Sequence, residues 1–253
     1  MANVIKIKKG LDINLKGKAS DVLLNGGKSD TYAIVPDYYN GIVPKVVAKV
    51  GEKVKAGSVL MIDKNRPEIK FVSPVSGEVT AVNRGEKRKV LSVVVKPEAQ
   101  VEYEDFGKKN VASLKREEVK EAIQQAGMWP FIKQRPYDIV ASPADEPRDI
   151  FVSAFYSAPL APNFDFIVKG QEADFQAGLD ALAKLTDGKV YVGIRKGSSV
   201  SVKGVETVEV EGPHPAANVG VQINHIKPVN KGEVVWTVNP ADVIVIGRLF
   251  NKG

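Results

Sequence analysis

The first 98 residues alternate apolar and polar side chains over short stretches. The alternation is clear in VIKIKKGLDINL near the N-terminus and in EIKFVSPVSGEVTAV further along the chain. A period of two places successive side chains on opposite faces of a strand, so these stretches predict β-strands. Glycine and proline interrupt them every few residues, which is typical of small all-β folds. We therefore predict that residues 1–98 form one β-rich module, a small barrel or sandwich.

Two similar half-units lie within this module. Residues 46–62 (VVAKVGEKVKAGSVLMI) and 79–95 (VTAVNRGEKRKVLSVVV) each contain Gly-Glu-Lys. Twin half-units around a hairpin that bears a lysine, here Lys64, are the pattern of lipoyl and biotinyl carrier domains. However, Asn-Arg-Pro at 65–67 lengthens and stiffens the tip, and the Met-Lys-Met of biotin carriers is absent. The module is therefore either a barrel-sandwich hybrid used for packing, which we favour, or a carrier with its prosthetic group on Lys64.

The pattern changes after residue 98. Residues 99–112 are charged and aperiodic, which predicts a linker. Ser113 is predicted to cap a first helix that ends at Gly127, and a last helix is predicted from Pro240. Between them, the strand-like stretches DIFVSAF, KVYVGI, VETVEV and EVVWTV alternate with helical sequence such as ADFQAGLDALAKL. Such alternation favours a parallel sheet, so residues 113–253 are predicted to form a Rossmann-like α/β domain, and the fold class is α/β (α+β overall).

Composition narrows the chemistry that the chain can perform. The 253 residues include no cysteine, which excludes disulfides, thiolate nucleophiles and cysteine-held iron–sulfur clusters. His214 and His225 are the only histidines, so neither a zinc site nor a Ser-His-Asp set is supported. The net charge of +6 comes from dispersed side chains without a nucleic-acid-binding motif, so no nucleic-acid partner is predicted. No apolar run is long enough to span a bilayer, and no signal-peptide pattern is visible, which favours the cytoplasm.

Four segments together carry a family resemblance. They are IKIKKGLDINLKG, KFVSPVSGEVTAVNRGEKRKVLSVVV, ASLKREEVKEAIQQAGMWPFIKQRPYDIV and EGPHPAANVGVQINHIKPVNKGEVVW. With these segments in this order, the chain resembles the A-subunit of the bacterial sodium-translocating NADH:quinone reductases over essentially its whole length. Members of that family are considerably longer, so the resemblance implies an N-terminal portion whose α/β domain is truncated at its C-terminus.

The resemblance implies a place in a respiratory complex of the membrane. Such complexes pass electrons from NADH through flavins and an iron–sulfur centre to ubiquinone, and they export sodium ions. The A-subunit is their peripheral member on the cytoplasmic face of the bacterial inner membrane, with an assigned role in quinone binding. We therefore expect the other subunits and quinone as partners, only indirect contact with the membrane surface, and no catalysis by the isolated chain.

The α/β half also resembles the flavin- and NADH-binding subunits of related respiratory complexes. Those relatives hold the flavin phosphate on a glycine-rich loop. The nearest stretches here are NGGK at 25–28 and GIRKGSS at 193–199, and neither has G-x-G-x-x-G spacing. The Glu-Cys-Glu-Pro segment of those relatives is matched by Tyr-Ser-Ala-Pro at 156–159. We therefore expect no cofactor in this chain, with FMN, NADH and the iron–sulfur centre in other subunits only.

Two aromatic segments supply candidates for quinone contact. A quinone head group is planar and has two carbonyl acceptors, so it needs a flat apolar surface and hydrogen-bond donors. GMWPFIKQRP at 127–136 and IVPDYYNGIVP at 34–44 offer both. The candidate residues are Trp129, Phe131, Lys133, Arg135, Tyr38 and Tyr39. The alternative is structural: a helix end and a strand-to-turn connection whose aromatic side chains pack between the two domains.

A histidine between two prolines is the last candidate. His214 lies in EGPHPAANVG, where Pro215 is predicted to begin a helix. Because an imidazole titrates near neutrality, His214 is a candidate proton donor to a reduced quinone. The alternative, which we favour, is a histidine that caps or bridges backbone groups in a tight turn.

Overall fold

The computed structural model describes residues 4–253, in which the strands form three sheets. The strands are β1 (Val4–Lys6), β2 (Tyr32–Ile34), β3 (Pro44–Val46), β4 (Lys53–Val54), β5 (Val59–Asp63), β6 (Lys70–Val72), β7 (Gly77–Arg84), β8 (Val90–Pro97), β9 (Lys133–Arg135), β10 (Ile139–Val140), β11 (Ile150–Ser153), β12 (Val190–Arg195), β13 (Glu206–Glu211) and β14 (Val235–Val238). The helices are α1 (Arg116–Gln125), α2 (Phe164–Ile167), α3 (Glu172–Lys184), α4 (Val219–Ile226) and α5 (Pro240–Lys252).

Two antiparallel sheets form the β module. One has the order β2-β8-β7-β4 and the other the order β3-β5-β6. Side chains from both sheets meet in one small aliphatic core, as the alternation along the strands predicted. Its buried members are Ala48, Val54, Leu60, Val75, Val79, Val90, Val93 and Val95.

The first strand does not belong to this module, in which the sequence placed it. β1 pairs in parallel with β13, and Ile7 N continues the pairing by donating to Glu211 O at 2.8 Å. Residues 8–31 then run along the surface, exposed and without helix or strand, although GLDINL alternates. A period of two identifies a possible strand but not its partner. Within residues 4–253, GLDINL has no neighbouring strand with which to pair.

A seven-stranded sheet forms the centre of the α/β half, in the order β1-β13-β12-β11-β14-β9-β10. β11, β12, β13 and β14 are parallel to one another, as predicted, while β9 and β10 close the far edge antiparallel. From β11 the chain proceeds to β12 and β13 on one side and then crosses to β14 on the other. The connections therefore diverge between β11 and β14, which leaves a crevice outside the carboxyl ends of these strands.

Two predicted helix starts are wrong and one is confirmed. Ser113 does not cap α1, because its hydroxyl donates to Asn110 O at 2.9 Å in a 3-10 turn. The N-terminus of α1 is instead closed by Glu118, which accepts from Lys115 N at 2.8 Å. Pro215 lies in a turn, and α4 begins only at Val219. α5 does begin at Pro240, as predicted.

The helices α3 and α5 pack in direct backbone contact. A Cβ atom on Gly178 would lie 2.0 Å from Val243 O, and one on Gly247 would lie 1.7 Å from Asp174 O. Only glycine fits at such a crossing, because any side chain would force the two helices apart. Buried residues of both helices belong to the same hydrophobic cluster as those of β11, β12 and β14.

One hydrophobic core runs from the β module into the α/β half. Met61, Ile69 and Phe71 are buried in the same cluster as Ile123 and Trp129. The predicted linker is also attached at several points: Ala56 N donates to Glu102 O, Phe106 N to Gly253 O and Lys109 N to Phe250 O, at 2.9–3.0 Å. None of the helices between residues 4 and 253 has the length and apolar content that crossing a bilayer requires.

Candidate functional site

A cleft of about 770 Å³ opens at the divergence point of the sheet. Ser153 lines it at the end of β11, and Thr237 lines it at the end of β14. The first residues of α4 and α5, Val219 and Pro240, also line it. Crevices of this kind are the usual ligand sites of open α/β sheets, because loops that diverge leave space above the strand ends.

The walls of the cleft are largely apolar and partly aromatic. The 3-10 turn at 129–131 places Phe131 on one wall, and Phe155 lies on another. Trp129, predicted at the same site, does not line the cleft. Its side chain is fully buried, with Nε1 donating to Ala141 O at 2.9 Å and its ring edge-to-face with Trp236 at 5.4 Å. Residues two apart in a 3-10 turn point in different directions, so Trp129 packs in the core while Phe131 faces the cleft.

Four titratable side chains converge in the cleft from four parts of the chain. Tyr39 follows the 3-10 turn at 36–38, Lys133 opens β9, Tyr156 follows β11, and Asp242 lies in the first turn of α5. Lys133 Nζ lies 5.2 Å from the centre of the Tyr39 ring, a cation–π distance. The Tyr156 hydroxyl donates to Asn239 Oδ1 at 3.2 Å. The arrangement combines hydrogen-bond donors with a carboxyl group inside an apolar enclosure.

Burial shifts the pKa values of these groups. Burial raises the pKa of Asp242 to about 6, against the attraction of Lys133, which lowers it. Burial likewise lowers the pKa of Lys133 and raises the pKa of Tyr39, with Asp242 adding to the rise of the tyrosine. Each shift favours the uncharged form, because the cleft wall replaces water that would solvate the charge. Asp242 can therefore exchange a proton near neutral pH.

Two more predicted residues lie at the rim. Tyr38 lines the cleft while 79% of its surface remains exposed. Arg135 also lines it and reaches Asp138 at 3.5 Å, while its buried Nε has no hydrogen-bond partner among residues 4–253. The structure thus brings five candidate residues, Tyr38, Tyr39, Phe131, Lys133 and Arg135, to one cleft that the sequence did not predict, and their role in quinone contact stays a prediction.

Sequence reasoning missed Tyr156 and Asp242. Asp242 is not distinguishable in sequence from an ordinary acidic residue in the first turn of a helix. Tyr156 stands out only as the residue where related flavoproteins have an acidic segment. The signal that was available is that both residues lie within four residues of the carboxyl end of a predicted strand of a parallel sheet.

His214 stands apart from the cleft-lining residues. Its Nδ1 lies 3.0 Å from Ser157 Oγ, and its backbone N donates to Asp12 Oδ1 at 2.8 Å. Leu11 N in turn donates to His214 O at 2.9 Å. These contacts agree with the interpretation of His214 as a residue that bridges groups in a tight turn, rather than as a proton donor.

The loop at 193–199 is occupied by a side chain of the protein itself. The Asp165 carboxylate accepts from Ser198 Oγ at 2.7 Å and from Ser199 N at 2.9 Å. These donors are the kind that a phosphate group would use at a strand-to-loop turn. The other glycine stretch, 25–28, lies in the exposed segment before β2. The described residues also contain no cluster of three or more His, Asp or Glu side chains suited to a metal ion.

Lys64 is exposed at the tip of the β5–β6 hairpin, as predicted, but this tip is held against the rest of the molecule. Arg66 Nε pairs with the buried Asp63 at 2.8 Å, and the Arg66 guanidinium also donates to Gly41 O at 2.8 Å and to Val140 O at 3.3 Å. Lys64 N donates to Val43 O at 2.7 Å. These contacts around one lysine leave the hairpin little freedom to swing.

Comparison with known proteins agrees with this architecture. The family described as NqrA N-terminal barrel-sandwich hybrid domain matches residues 5–98, and the family described as NqrA second alpha/beta domain matches residues 114–253. Proteins named as the A-subunit of Na(+)-translocating NADH-quinone reductase are similar over 99% of the chain. Identity is 38% with the protein of Neisseria meningitidis serogroup A, 39% with that of Hahella chejuensis and 41% with that of Vibrio atlanticus.

The chain spans 57% of the length of these relatives. The family resemblance and the predicted fold class are confirmed by the two domain matches and by the identity over nearly the whole chain. The chain belongs to the NqrA family, with a barrel-sandwich hybrid domain followed by the second α/β domain of that family.

Proposed function

We propose that this chain acts within the peripheral NqrA component of a sodium-translocating NADH:quinone reductase, and that its cleft contacts the quinone head group. The similar proteins are named as subunits of such a reductase. The observation on which the proposal depends is the meeting of Tyr39, Lys133, Tyr156 and Asp242 in one apolar cleft at the divergence point of the sheet.

The chemistry of the cleft matches that of a quinone. The rings of Phe131 and Phe155 provide flat apolar surface for a planar head group. Tyr39 and Lys133 provide donors for its carbonyl oxygens, and a donor among partly buried apolar walls gains more than one in water. Quinone reduction consumes two electrons and two protons. Asp242, with a pKa of about 6, is suited to deliver a proton from within the cleft.

The rest of the complex supplies the electrons in this proposal. FMN, the NADH site and the iron–sulfur centre lie in other subunits, and sodium export is likewise a property of the whole assembly. The chain sits on the cytoplasmic face of the bacterial inner membrane, held there by its partner subunits. The Asp165 carboxylate in the 193–199 loop supports a chain without flavin, because it takes the donors that a phosphate would need.

Titration with a short-chain ubiquinone tests the cleft. We expect saturable binding by calorimetry, with quenching of the fluorescence of Trp236, which neighbours the cleft residue Thr237. Lys133→Met should weaken binding roughly tenfold, because a charge-assisted hydrogen bond contributes about 1.5–3 kcal/mol. Lys169→Met is the matched control, since Lys169 also lies over an aromatic ring, that of Phe166, outside the cleft.

The proposal is wrong if Lys133→Met and Asp242→Asn both bind the quinone with the affinity of the parent chain. A separate measurement addresses the redox groups. The purified chain is expected to show neither flavin absorbance nor NADH oxidation, and either one would contradict the placement of these groups in other subunits.

A further inference from the structure

The end of the β7–β8 hairpin carries the densest positive charge in the sequence. Residues 84–89, here called the basic tip, read Arg-Gly-Glu-Lys-Arg-Lys and contain four basic residues and one acid. In the other copy of Gly-Glu-Lys, at 51–53, the lysine instead begins β4 and lies opposite Glu78 of β7. Among the described residues, none of the basic tip belongs to a hydrophobic core or lines the cleft.

Two cations of the basic tip are available to a ligand. Lys87 and Arg88 are exposed, and between residues 4 and 253 their side chains take part in no ion pair or hydrogen bond. The other two cations are already engaged. Arg84 donates to the backbone oxygen of Arg88 at 3.2 Å, and Lys89 pairs with Asp37 at 2.7 Å.

The backbone of the basic tip is one that other residues adopt more readily. The φ angle is 52° at Lys87 and 61° at Arg88, and Lys89 N donates to Glu86 O at 3.0 Å across the turn. Turns with two positive φ angles usually contain Asn-Gly or Asp-Gly, because these residues enter the left-handed region at little cost. Long side chains at such positions are strained, and backbone strain of this kind clusters at functional sites.

An exposed leucine lies beside the basic tip. Leu91 is 42% exposed, and a Cβ atom on Gly85 would lie 3.3 Å from its Cδ2. Cations beside an apolar side chain match the boundary of a membrane, where phosphates lie outside and acyl chains begin beneath. An acidic protein surface would use the cations but would leave the leucine without an apolar neighbour.

The basic tip also neighbours the rim of the cleft. The ion pair between Lys89 and Asp37 joins it to the 3-10 turn at 36–38, whose last residue is Tyr38. Tyr38 lines the cleft and is 79% exposed. Tyrosine side chains are enriched at the membrane–water interface, since the ring is apolar and the hydroxyl is polar. A surface that holds the basic tip therefore also lies close to the rim at Tyr38.

We infer that the basic tip binds the headgroups of anionic phospholipids, a direct membrane contact in addition to those that partner subunits provide. Lys87 and Arg88 bind the phosphates, and Leu91 enters the boundary of the acyl chains. The rim of the cleft at Tyr38 then lies near the bilayer surface. The inference goes beyond the proposed function and stands without it, because binding to lipid requires no quinone.

Sedimentation of the whole chain with vesicles, in the absence of quinone, tests this inference. Vesicles of phosphatidylglycerol and phosphatidylcholine in equal parts are compared with vesicles of phosphatidylcholine alone. We expect binding to the anionic vesicles only. This binding should be lost as the salt concentration rises from about 0.05 M to about 0.5 M, because salt screens the attraction between exposed charges.

Lys87→Asn/Arg88→Gly removes the two available cations and gives the turn the residues that it favours. The variant should therefore unfold at the urea concentration of the parent chain or at a higher one. Each basic side chain at an anionic membrane surface tightens binding about fivefold, so its affinity for anionic vesicles should fall about 25-fold. Lys108→Gln/Lys109→Gln is the control, because it removes the same charge from exposed positions beyond the opposite end of β8. It should retain the parent affinity.

A fluorophore locates the contact. Because the chain has no cysteine, a dye on Leu91→Cys labels only the neighbourhood of the basic tip. Its emission should shift to the blue on anionic vesicles. Val50→Cys is the matched control, since Val50 is 62% exposed and precedes Gly51, which is bound to Val79 near the opposite end of β7. A dye at that position should show no shift.

Three results would overturn the inference. They are no binding to anionic vesicles, equal weakening by the two double substitutions, and equal emission shifts at Leu91→Cys and Val50→Cys. The second would mean that net charge alone attracts the chain to the vesicles. A chain that binds vesicles through the basic tip but binds no short-chain ubiquinone would support the membrane contact and contradict only the proposed function.

Discussion

The two halves of the molecule bury their cores with different side chains and serve the candidate site differently. The β module packs valine, alanine and leucine between two small sheets, whereas the core of the α/β half contains Trp129, Trp236 and several phenylalanines. The cleft lies in the α/β half, yet Tyr38 and Tyr39 come from the β module. The β module, although it resembles a carrier domain, can therefore contribute residues to the cleft because it packs against the α/β half.

The contact between the halves shows how this contribution is made. Tyr39 packs edge-to-face against Phe71 with ring centres 4.7 Å apart, so the β module fixes the ring that faces the cleft. At two points a glycine of one half lies so close to a side chain of the other half that an added Cβ atom would clash, Gly41 with Ile139 and Gly127 with Val72. The halves are therefore expected to behave as one unit, and the predictions below test that expectation.

The largest effect is expected where α3 and α5 cross. Gly247→Leu would place a Cβ atom 1.7 Å from Asp174 O, so the helices must separate. We expect a loss of about 3 kcal/mol or more in the free energy of unfolding, measured by urea denaturation. Amides of β7 and β8 should lose hydrogen-exchange protection together with those of α5, because one core joins the halves. Gly26→Leu, at a position with open space, is the control. If the amides of β7 and β8 keep their wild-type hydrogen-exchange protection in Gly247→Leu, the two halves unfold independently.

A smaller loss is expected at the tip of the carrier-like hairpin. Arg66→Ala leaves the buried Asp63 without its partner and releases the contacts to Gly41 and Val140, which should cost about 2 kcal/mol of stability in urea denaturation. Lys64→Ala, two residues away and exposed, should change stability by less than about 0.5 kcal/mol. Equal stability of the two variants would show that the tip is not held by Arg66.

The mass of the native chain distinguishes a packing module from a carrier. We expect the native chain to have the mass of its unmodified sequence, because the hairpin that bears Lys64 is held in place. A lipoyl or biotinyl addition on Lys64 would instead support the carrier interpretation.

The Asp242 carboxyl in the cleft should make the free energy of unfolding depend on pH. The pKa of the Asp242 carboxyl is about 6 in the folded chain, against a usual value of 3.8. The folded state therefore holds this proton more tightly, so the contribution of Asp242 to stability is lost as pH rises from about 4 to about 6. The loss is expected to be about 2 kcal/mol, less than the full shift implies because the side chain is only partly buried. Asp242→Asn should remove this slope, as measured by urea denaturation at pH 4 and pH 7. An identical slope in the variant would contradict the assignment.

The smallest effect is expected at His214. His214→Gln keeps the backbone contacts to Leu11 and Asp12 and loses only the side-chain contact to Ser157. Stability should fall by less than about 1 kcal/mol, and the affinity for the short-chain ubiquinone should be unchanged. A large loss of quinone affinity would restore the interpretation of His214 as a proton donor.

Much of the fold was predictable because local pattern and local chemistry agree there. The helix around ADFQAGLDALAKL, the parallel strands and the start of α5 at Pro240 all follow from periodicity and from the fixed backbone angle of proline. The prediction that Ser113 caps α1 is wrong because the helix is capped two residues later, at Lys115, whose backbone N donates to Glu118. Capping residues are common in sequence, and the competition between neighbouring caps is decided by the fold around them.

Residue patterns alone were sufficient for the order of the β and α/β regions and for the absence of thiol chemistry. They also singled out five residues that the fold brings to one cleft, whose role in quinone contact stays a prediction. Three features came from the folded molecule: β1 joins the far sheet, Trp129 is buried, and Tyr156 and Asp242 meet Tyr39 and Lys133. The physical reason is that periodicity reports which face of an element is apolar, whereas a site forms where elements distant in sequence bring their ends together. That meeting depends on sheet order and packing, which no single stretch of sequence encodes.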